Sequence, residues 1–242
     1  MKFSVLISIY INENPLFLEL CLESLNQQID KPTEIIIVED GLLSDGLNAS
    51  LDLWQKKLPI KRIPLKNNVG LGRALNEGLK HCQYNIVARM DTDDIALPDR
   101  FSRQLEIFSL NKEISVCGSL ISEFENDPSC ASSVRFVPEH SSKIKSFAKR
   151  KNPINHPSVM FKKSSVLKAG GYLDMPFFED YYLWCRMLSN GANFYNIQSV
   201  LVKMRAGGEQ LSRRGGLSYA QKECRFYLAL RSIGFINLFE ML

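Results

Sequence analysis

Residues 89–100 read RMDTDDIALPDR and place four carboxylates, Asp91, Asp93, Asp94 and Asp99, within nine positions at the end of an apolar run. Like charges packed that closely repel, so a positive group is expected among them. Asp-X-Asp at the end of a buried strand suits a hard divalent cation, Mg²⁺ or Mn²⁺, which takes oxygen ligands and is often shared with substrate phosphates. Such an ion would neutralise charge developing on a departing phosphate. Taken alone, the triplet fits a helix cap or a solvated turn equally well. Two other polar turns favour a shared site. One is Glu39-Asp40-Gly41, closing IIIVEDG; the other is KNNVGLGR (66–73), which opens a helical pattern with polar Asn and permissive Gly.

The elements that would position these turns follow from periodicity. FSVLISIY (3–10), TEIIIVED (33–40), PIKRIPL (59–65) and YNIVARMD (84–91) are short β-branched runs. Three of them read as strands buried on both faces, as in a parallel sheet; 59–65 is more polar. Helical patterns fill the gaps at 15–28, 45–57 and 70–81, the last with Leu71, Leu75 and Leu79 four residues apart. This alternation predicts an α/β doubly wound sheet with its ligand at the carboxyl ends of the strands. Further on, Pro98 is placed at the first helical position of 98–110, whose Phe101, Leu105 and Phe108 share a face. EISVCGSLISEF (113–124) and CASSVRFV (130–137) read as antiparallel strands, HSSKIKSFAKRKN (140–152) as a basic helix or loop, and FFEDYYLWCRMLSNG (177–191) as a helix. An apolar tail from about 216 is interrupted by Arg225, Arg231 and Gly234.

The 242 residues suffice for a substantial core, and 45% hydrophobic with 23% charged residues is an ordinary globular balance. No run approaches membrane-spanning length, and MKFSVLISIYINEN lacks a cleavage site. Six cysteines show no CxxC spacing, so free thiols in a reducing cytoplasm are expected and a zinc site is not. The net charge of +4 conceals an asymmetry: residues 1–140 carry 14 Lys+Arg against 20 Asp+Glu, residues 141–242 carry 16 against 6. A basic second half fits contact with phosphates or anionic lipid, or simply a solvated surface. No nucleic-acid-binding motif accompanies it.

SVLISIYINE, IIIVEDG, NNVGLGRALNEGL, ARMDTDDIALPDRFSRQ, GGYLD and FFEDYYLWCRM resemble, in order and spacing, glycosyltransferase family 2, over roughly residues 3–205. The resemblance implies an inverting transferase of GT-A fold: a mostly parallel central sheet flanked by helices, a small antiparallel acceptor-side sheet and C-terminal helices. It implies a GT-A domain over 1–215, with a nucleotide-binding half (1–100) and an acceptor half (101–215), then a helical tail (216–242). The implied reaction is metal-dependent transfer of a hexose from a UDP-sugar to a glycan, in O-antigen or capsule synthesis.

The resemblance also assigns roles to residues. Asp40 would accept a hydrogen bond from uracil, and Ser8, Tyr10 and Glu13 would line the nucleotide pocket. Asn68 and Arg73 would approach the nucleotide. Asp93 would bind Mn²⁺ or Mg²⁺ directly, Asp91 would lie nearer the ribose and metal, and Asp94 would point at the sugar. Asp180, beside Glu179, would be the general base that deprotonates the acceptor hydroxyl; acids in a first helical turn are also favoured by the helix dipole alone. His156 is assigned to the diphosphate or acceptor, or to a structural role. Residues 202–214 are expected to form a flexible loop offering Arg205, Ser212 and Arg213 to the diphosphate, without the histidine relatives carry there.

Single sugar addition is expected, because the QxxRW segment of processive synthases is absent. A lipid-pyrophosphate acceptor would place a cytoplasmic enzyme peripherally on the inner membrane, held by Lys143, Lys145, Lys149, Arg150, Lys151, Arg225 and Arg231; alternatively the tail packs on the protein itself. Two competing readings stay open at this stage. One is a UDP- or glycan-binding protein that kept the fold without catalysis. The other is a nucleotidyltransferase, although SIYINENP lacks its Gly-rich signature. A dinucleotide fingerprint fails because Leu75 replaces the third glycine, and no P-loop occurs.

Overall fold

The computed structural model describes residues 1–206 and 216–241. Four strands, β1 (Ser4–Ile9), β2 (Glu34–Glu39), β3 (Ile60–Pro64) and β4 (Ile86–Arg89), alternate with α1 (Pro15–Asn26), α2 (Asp45–Trp54) and α3 (Leu71–His81). Their pairings are parallel, in the order β3-β2-β1-β4. β1, β2 and β4 are buried along nearly their whole length, as continuous apolar runs require, whereas β3 lies at the edge, exposes Lys61 and Pro64 and buries only Ile63. Helix starts are marked by chemistry: the Asn14 side chain accepts the Leu16 N–H at 2.9 Å, and Pro15 follows as the first helical residue. α3 lies so close to the sheet that a Cβ on Gly78 would collide with Leu6 and Val38. The parallel arrangement brings the turns after β1, β2 and β4 to one edge.

Beyond β4 come β5 (Ile95–Ala96), α4 (Arg100–Leu110), β6 (Ile114–Phe124), β7 (Ser133–Arg135), α5 (Ser141–Phe147), β8 (Met160–Lys162), α6 (Lys163–Lys168), α7 (Glu179–Ser189), β9 (Asn193–Arg205), α8 (Leu217–Ser232) and α9 (Leu238–Met241). The described residues form one nine-stranded sheet that continues from β4 through β8, β6, β9 and β5, with β7 flanking β6. The strands expected at 113–124 and 130–137 are β6 and β7, which pair antiparallel; β8 pairs antiparallel with β4 and β6, and all three belong to the one sheet rather than to a separate acceptor-side sheet.

Two local expectations need correction. Residues 202–205 are not loop but the end of β9, a 13-residue strand parallel to β6. Register shifts near Ser119 and Leu120 break the period of two, and Asn196 and Gln198 interrupt the apolar pattern, so the strand leaves little trace in sequence. Pro98 stands ahead of α4, which begins at Arg100 after Asp99. The tail also joins the core. Phe226 and Leu230 of α8 are fully buried, and Phe226 stacks on Phe178 at 4.7 Å between ring centres. Cys21, Cys82, Cys117 and Cys185 are buried free thiols, and Cys130 and Cys224 exposed ones. No helix among the described residues is long and apolar enough to cross a membrane.

Candidate active site

Where β1, β2, β3 and β4 end, the three polar turns after β2, β3 and β4 meet the end of β1. A pocket of about 280 Å³ is lined by Ser8, Tyr10, Glu13, Asp40, Asn68, Gly70, Leu71 and Asp91. Asp40, 4% exposed, ties two turns together: its carboxylate oxygens accept the backbone N–H groups of Val69 at 2.6 Å and Gly70 at 3.0 Å. Each oxygen retains a lone pair for a ligand. Gly41 makes the approach feasible. Its φ of +92° lies in the left-handed region, and a Cβ there would stand 3.0 Å from the Asn68 nitrogen. Burial raises the Glu13 pKa, with a Thr92 hydrogen bond opposing.

The positive group expected among the acids is Arg89, the last residue of β4. Its guanidinium is ion-paired with Asp91, and Asp93, Asp94 and Asp180 all lie within electrostatic reach. Burial lowers its pKa, and its Nε has no hydrogen-bond partner among the described residues. Beneath it, fully buried Arg100 donates to the Arg89 carbonyl at 2.7 Å; burial and then Arg89 pull the Arg100 pKa down to about 9. α1 fixes the acidic turn from the other side: the Cys21 thiol donates to the Asp91 carbonyl at 3.2 Å, and the Ala96 N–H donates to Ser24 Oγ at 3.1 Å.

Asp93 is half-buried, and burial pushes its pKa up despite Arg89 and Arg205. A half-buried carboxylate two residues from the paired Asp91, which lines the pocket, is a fitting partner for a cation. Among the described residues no three Cys, His, Asp or Glu converge on one point. Two neighbouring carboxylates, Asp91 and Asp93, are an oxygen donor set of the kind that Mg²⁺ and Mn²⁺ take when phosphate oxygens complete the shell.

Across Arg89 lies the second cluster. Asp180, in the first turn of α7, accepts a 2.7 Å hydrogen bond from Asn152, and burial raises its pKa while Arg89 opposes. Glu179 packs against the start of α3, where a Cβ on Gly72 would lie 3.4 Å from its side chain. His156 Nε2 is 3.0 Å from the Tyr172 hydroxyl and its ring lies 6.1 Å from that of Trp184. Burial and Arg89 hold this imidazole well below its ordinary pKa, so it is neutral. His156 is not among the residues that line the 280 Å³ pocket.

Three residues stand elsewhere than the sequence led one to expect. Arg73 lines a neighbouring groove with Val69, Asn76 and Lys80, because two residues beyond Leu71 is roughly 200° around the helix. Asp94 does not face the pocket. It is 1% exposed, its Oδ1 accepts the Arg205 N–H of β9 at 2.9 Å, and burial with Asp93 raises its pKa to about 8. The Arg205 guanidinium is packed over the rings of Phe17 and Phe124 and donates to the Glu125 carbonyl at 3.0 Å, so it is occupied. Ser212 and Arg213 lie outside the described residues. Sequence reasoning passed over Arg89, Asn152 and Tyr172; an arginine inside the apolar run YNIVARMD was the available signal for the first.

Residues 4–169 match the model of a family described as glycosyl transferase family 2. The chain belongs to that family. Amylovoran biosynthesis glycosyltransferase AmsE of Erwinia amylovora is 44% identical over 238 residues, covering 97% of this chain and 89% of the relative. The UDP-Gal:alpha-D-GlcNAc-diphosphoundecaprenol beta-1,3-galactosyltransferase of Escherichia coli is 42% identical over 224 residues, covering 93% and 81%. S. aureus TarS in complex with UDP-GlcNAc superimposes with a TM-score of 0.73 at 17% identity, over 95% of this chain and 66% of that one. The Pyrobaculum calidifontis mannosyltransferase in complex with GDP-Man and Mn²⁺ gives 0.66 at 16%, over 96% and 73%. At those identities the likeness establishes the fold, GT-A, and the family membership makes the protein a glycosyltransferase.

Proposed function

We propose that this family 2 enzyme transfers a hexose, with inversion, from a UDP-sugar to a glycan carried on a lipid pyrophosphate, in the assembly of a bacterial surface polysaccharide. The observation that carries the reading is that Asp93 and Asp180 both lie within electrostatic reach of one buried arginine, Arg89, whose ion-pair partner Asp91 lines a pocket together with Asp40. Asp40 and Asn68 would meet the base, and Ser8, Tyr10 and Glu13 the rest of the nucleoside. Asp93 and Asp91 would hold a divalent ion, which when bound offsets charge on the leaving diphosphate.

Asp180 takes the proton of the acceptor hydroxyl as its oxygen bonds to the anomeric carbon, and the bond from that carbon to the diphosphate breaks in the same displacement. One displacement inverts the centre and needs no covalent carboxylate intermediate. Burial raises the basicity of Asp180, while the hydrogen bond from Asn152 orients it and, with the Arg89 charge, opposes that rise. The activity for which the Escherichia coli galactosyltransferase is named supports a diphosphate-linked acceptor and a UDP-hexose donor.

Calorimetry of UDP and hydrolysis of UDP-sugars, each with Mn²⁺, Mg²⁺ or EDTA, test the reading on the native protein and on Asp93→Ala. Metal-dependent UDP binding that disappears in the variant is expected, and the hydrolysed sugar nominates the donor. UDP binding indifferent to EDTA and to Asp93→Ala would reject the metal assignment.

A further inference from the structure

A second cavity lies apart from the donor pocket and exceeds it in volume. About 610 Å³ opens between α5 and α9, lined by Lys143, Phe147, Lys149, Arg150, Lys151 and Glu240. Four cations there face one carboxylate, and that carboxylate, Glu240, is ion-paired with Lys149. The cavity thus already holds an oxyanion, supplied by the protein's own terminal helix. Next to Glu240, Leu238 and Phe239 are 51% and 88% exposed, a costly placement for a Phe unless it meets something apolar. The basic segment is also joined to the catalytic helix. Lys151 precedes Asn152, whose amide holds Asp180 at 2.7 Å, and the Ala148 carbonyl accepts the Tyr181 hydroxyl at 2.9 Å.

We propose that this cavity seats the diphosphate of the lipid-linked acceptor, an inference that rests on the acceptor class argued above. Arg150 and the lysines take the phosphate oxygens, a guanidinium being suited to them by its fork of donors. The lipid chain runs along Phe147, Leu238 and Phe239. Glu240 is a surrogate anion that the diphosphate displaces from Lys149. With the phosphates held at residues 149–151 and the base held by residue 152, the acceptor hydroxyl at Asp180 belongs to a sugar close to the diphosphate. The preferred acceptor is therefore a short lipid-linked saccharide.

Decyl diphosphate, titrated calorimetrically into the full chain in the presence and absence of UDP, is the probe. The expected result is binding independent of UDP, weakened about tenfold or more when Lys149, Arg150 and Lys151 are all changed to Gln, since each lost charge-assisted contact contributes modestly at a solvated site. Glu240→Gln is expected to tighten binding, a gain that misfolding cannot imitate. Unchanged affinity in both variants, or competition with UDP, would overturn the assignment. Equal binding of inorganic pyrophosphate would overturn the lipid part. Complete displacement by phosphatidylglycerol vesicles would reduce the cavity to a general anionic-membrane contact. Failure of the donor reading appears separately, as absence of UDP binding in the same titrations.

Discussion

In the proposed mechanism the chemistry turns on Asp180 as the base and on Arg89, which lies within electrostatic reach of it. The base works only when deprotonated, and burial places its pKa above the ordinary carboxylate value. Transfer is therefore full above that raised pKa and lost as pH falls through it, so the acid limb of the kcat/KM profile lies above about pH 4. Asp180→Asn should lower turnover by about 10²–10⁴-fold, the usual contribution of a positioned base, with UDP affinity unchanged by calorimetry. Arg89 opposes the burial effect. Removing its charge in Arg89→Gln should move the acid limb to higher pH in whatever activity remains. A limb that stays in place would show that Arg89 acts on Asp91 alone. Asp91 itself is a third exposed in its side chain and keeps water as an alternative partner, whereas Arg89 is nearly sealed; the arginine loses more than the acid when the pair is broken.

At the scale of elements, the donor pocket depends on how closely two turns approach. Asp40 carries the N–H groups of Val69 and Gly70, and Gly41 admits the Asn68 backbone by having no side chain and a φ of +92°. Gly41→Ala should cost about 1–2 kcal/mol from the left-handed conformation alone. It should also push the turn carrying Asn68 outward. Weaker UDP binding, with stability reduced by about that amount in urea titrations, checks this; unchanged UDP affinity would remove Asn68 from the donor contacts. Much of this geometry was legible from residues: four strands, three helices and three polar turns follow from apolar runs, spacing and strand-end chemistry. The acceptor half was less legible, for physical reasons. β9 carries polar residues and bulged pairing that erase the period of two. The orientations of Asp94 and Arg205 are decided by pairing between β5 and β9, a contact over a hundred residues apart in sequence that no local pattern encodes.

For the whole molecule, α8 is the element that joins the tail to the reaction. Phe226 is fully buried between Phe178, which caps the start of α7, and Tyr181, immediately after the base, with centroid distances of 4.7 and 4.6 Å. Phe177 nearby holds a φ of 74°, a strained conformation for a bulky residue, and it is kept by Tyr219 at 5.8 Å and by Lys222 lying 4.4 Å over its ring. α8 thus holds the turn from which Asp180 projects. Phe226→Ala should destabilise the protein by about 3–5 kcal/mol, as large-to-small changes in a packed aromatic core do. Denaturant titration would measure this. Below the unfolding transition, the variant should bind UDP with native affinity, because the donor pocket draws on β1, β2, β4 and α3 and none of α8. Its kcat should fall, because the base loses its support. A variant that loses UDP binding and turnover in parallel, while still folded, would mean that the two halves respond as one unit and that α8 braces the donor pocket as well.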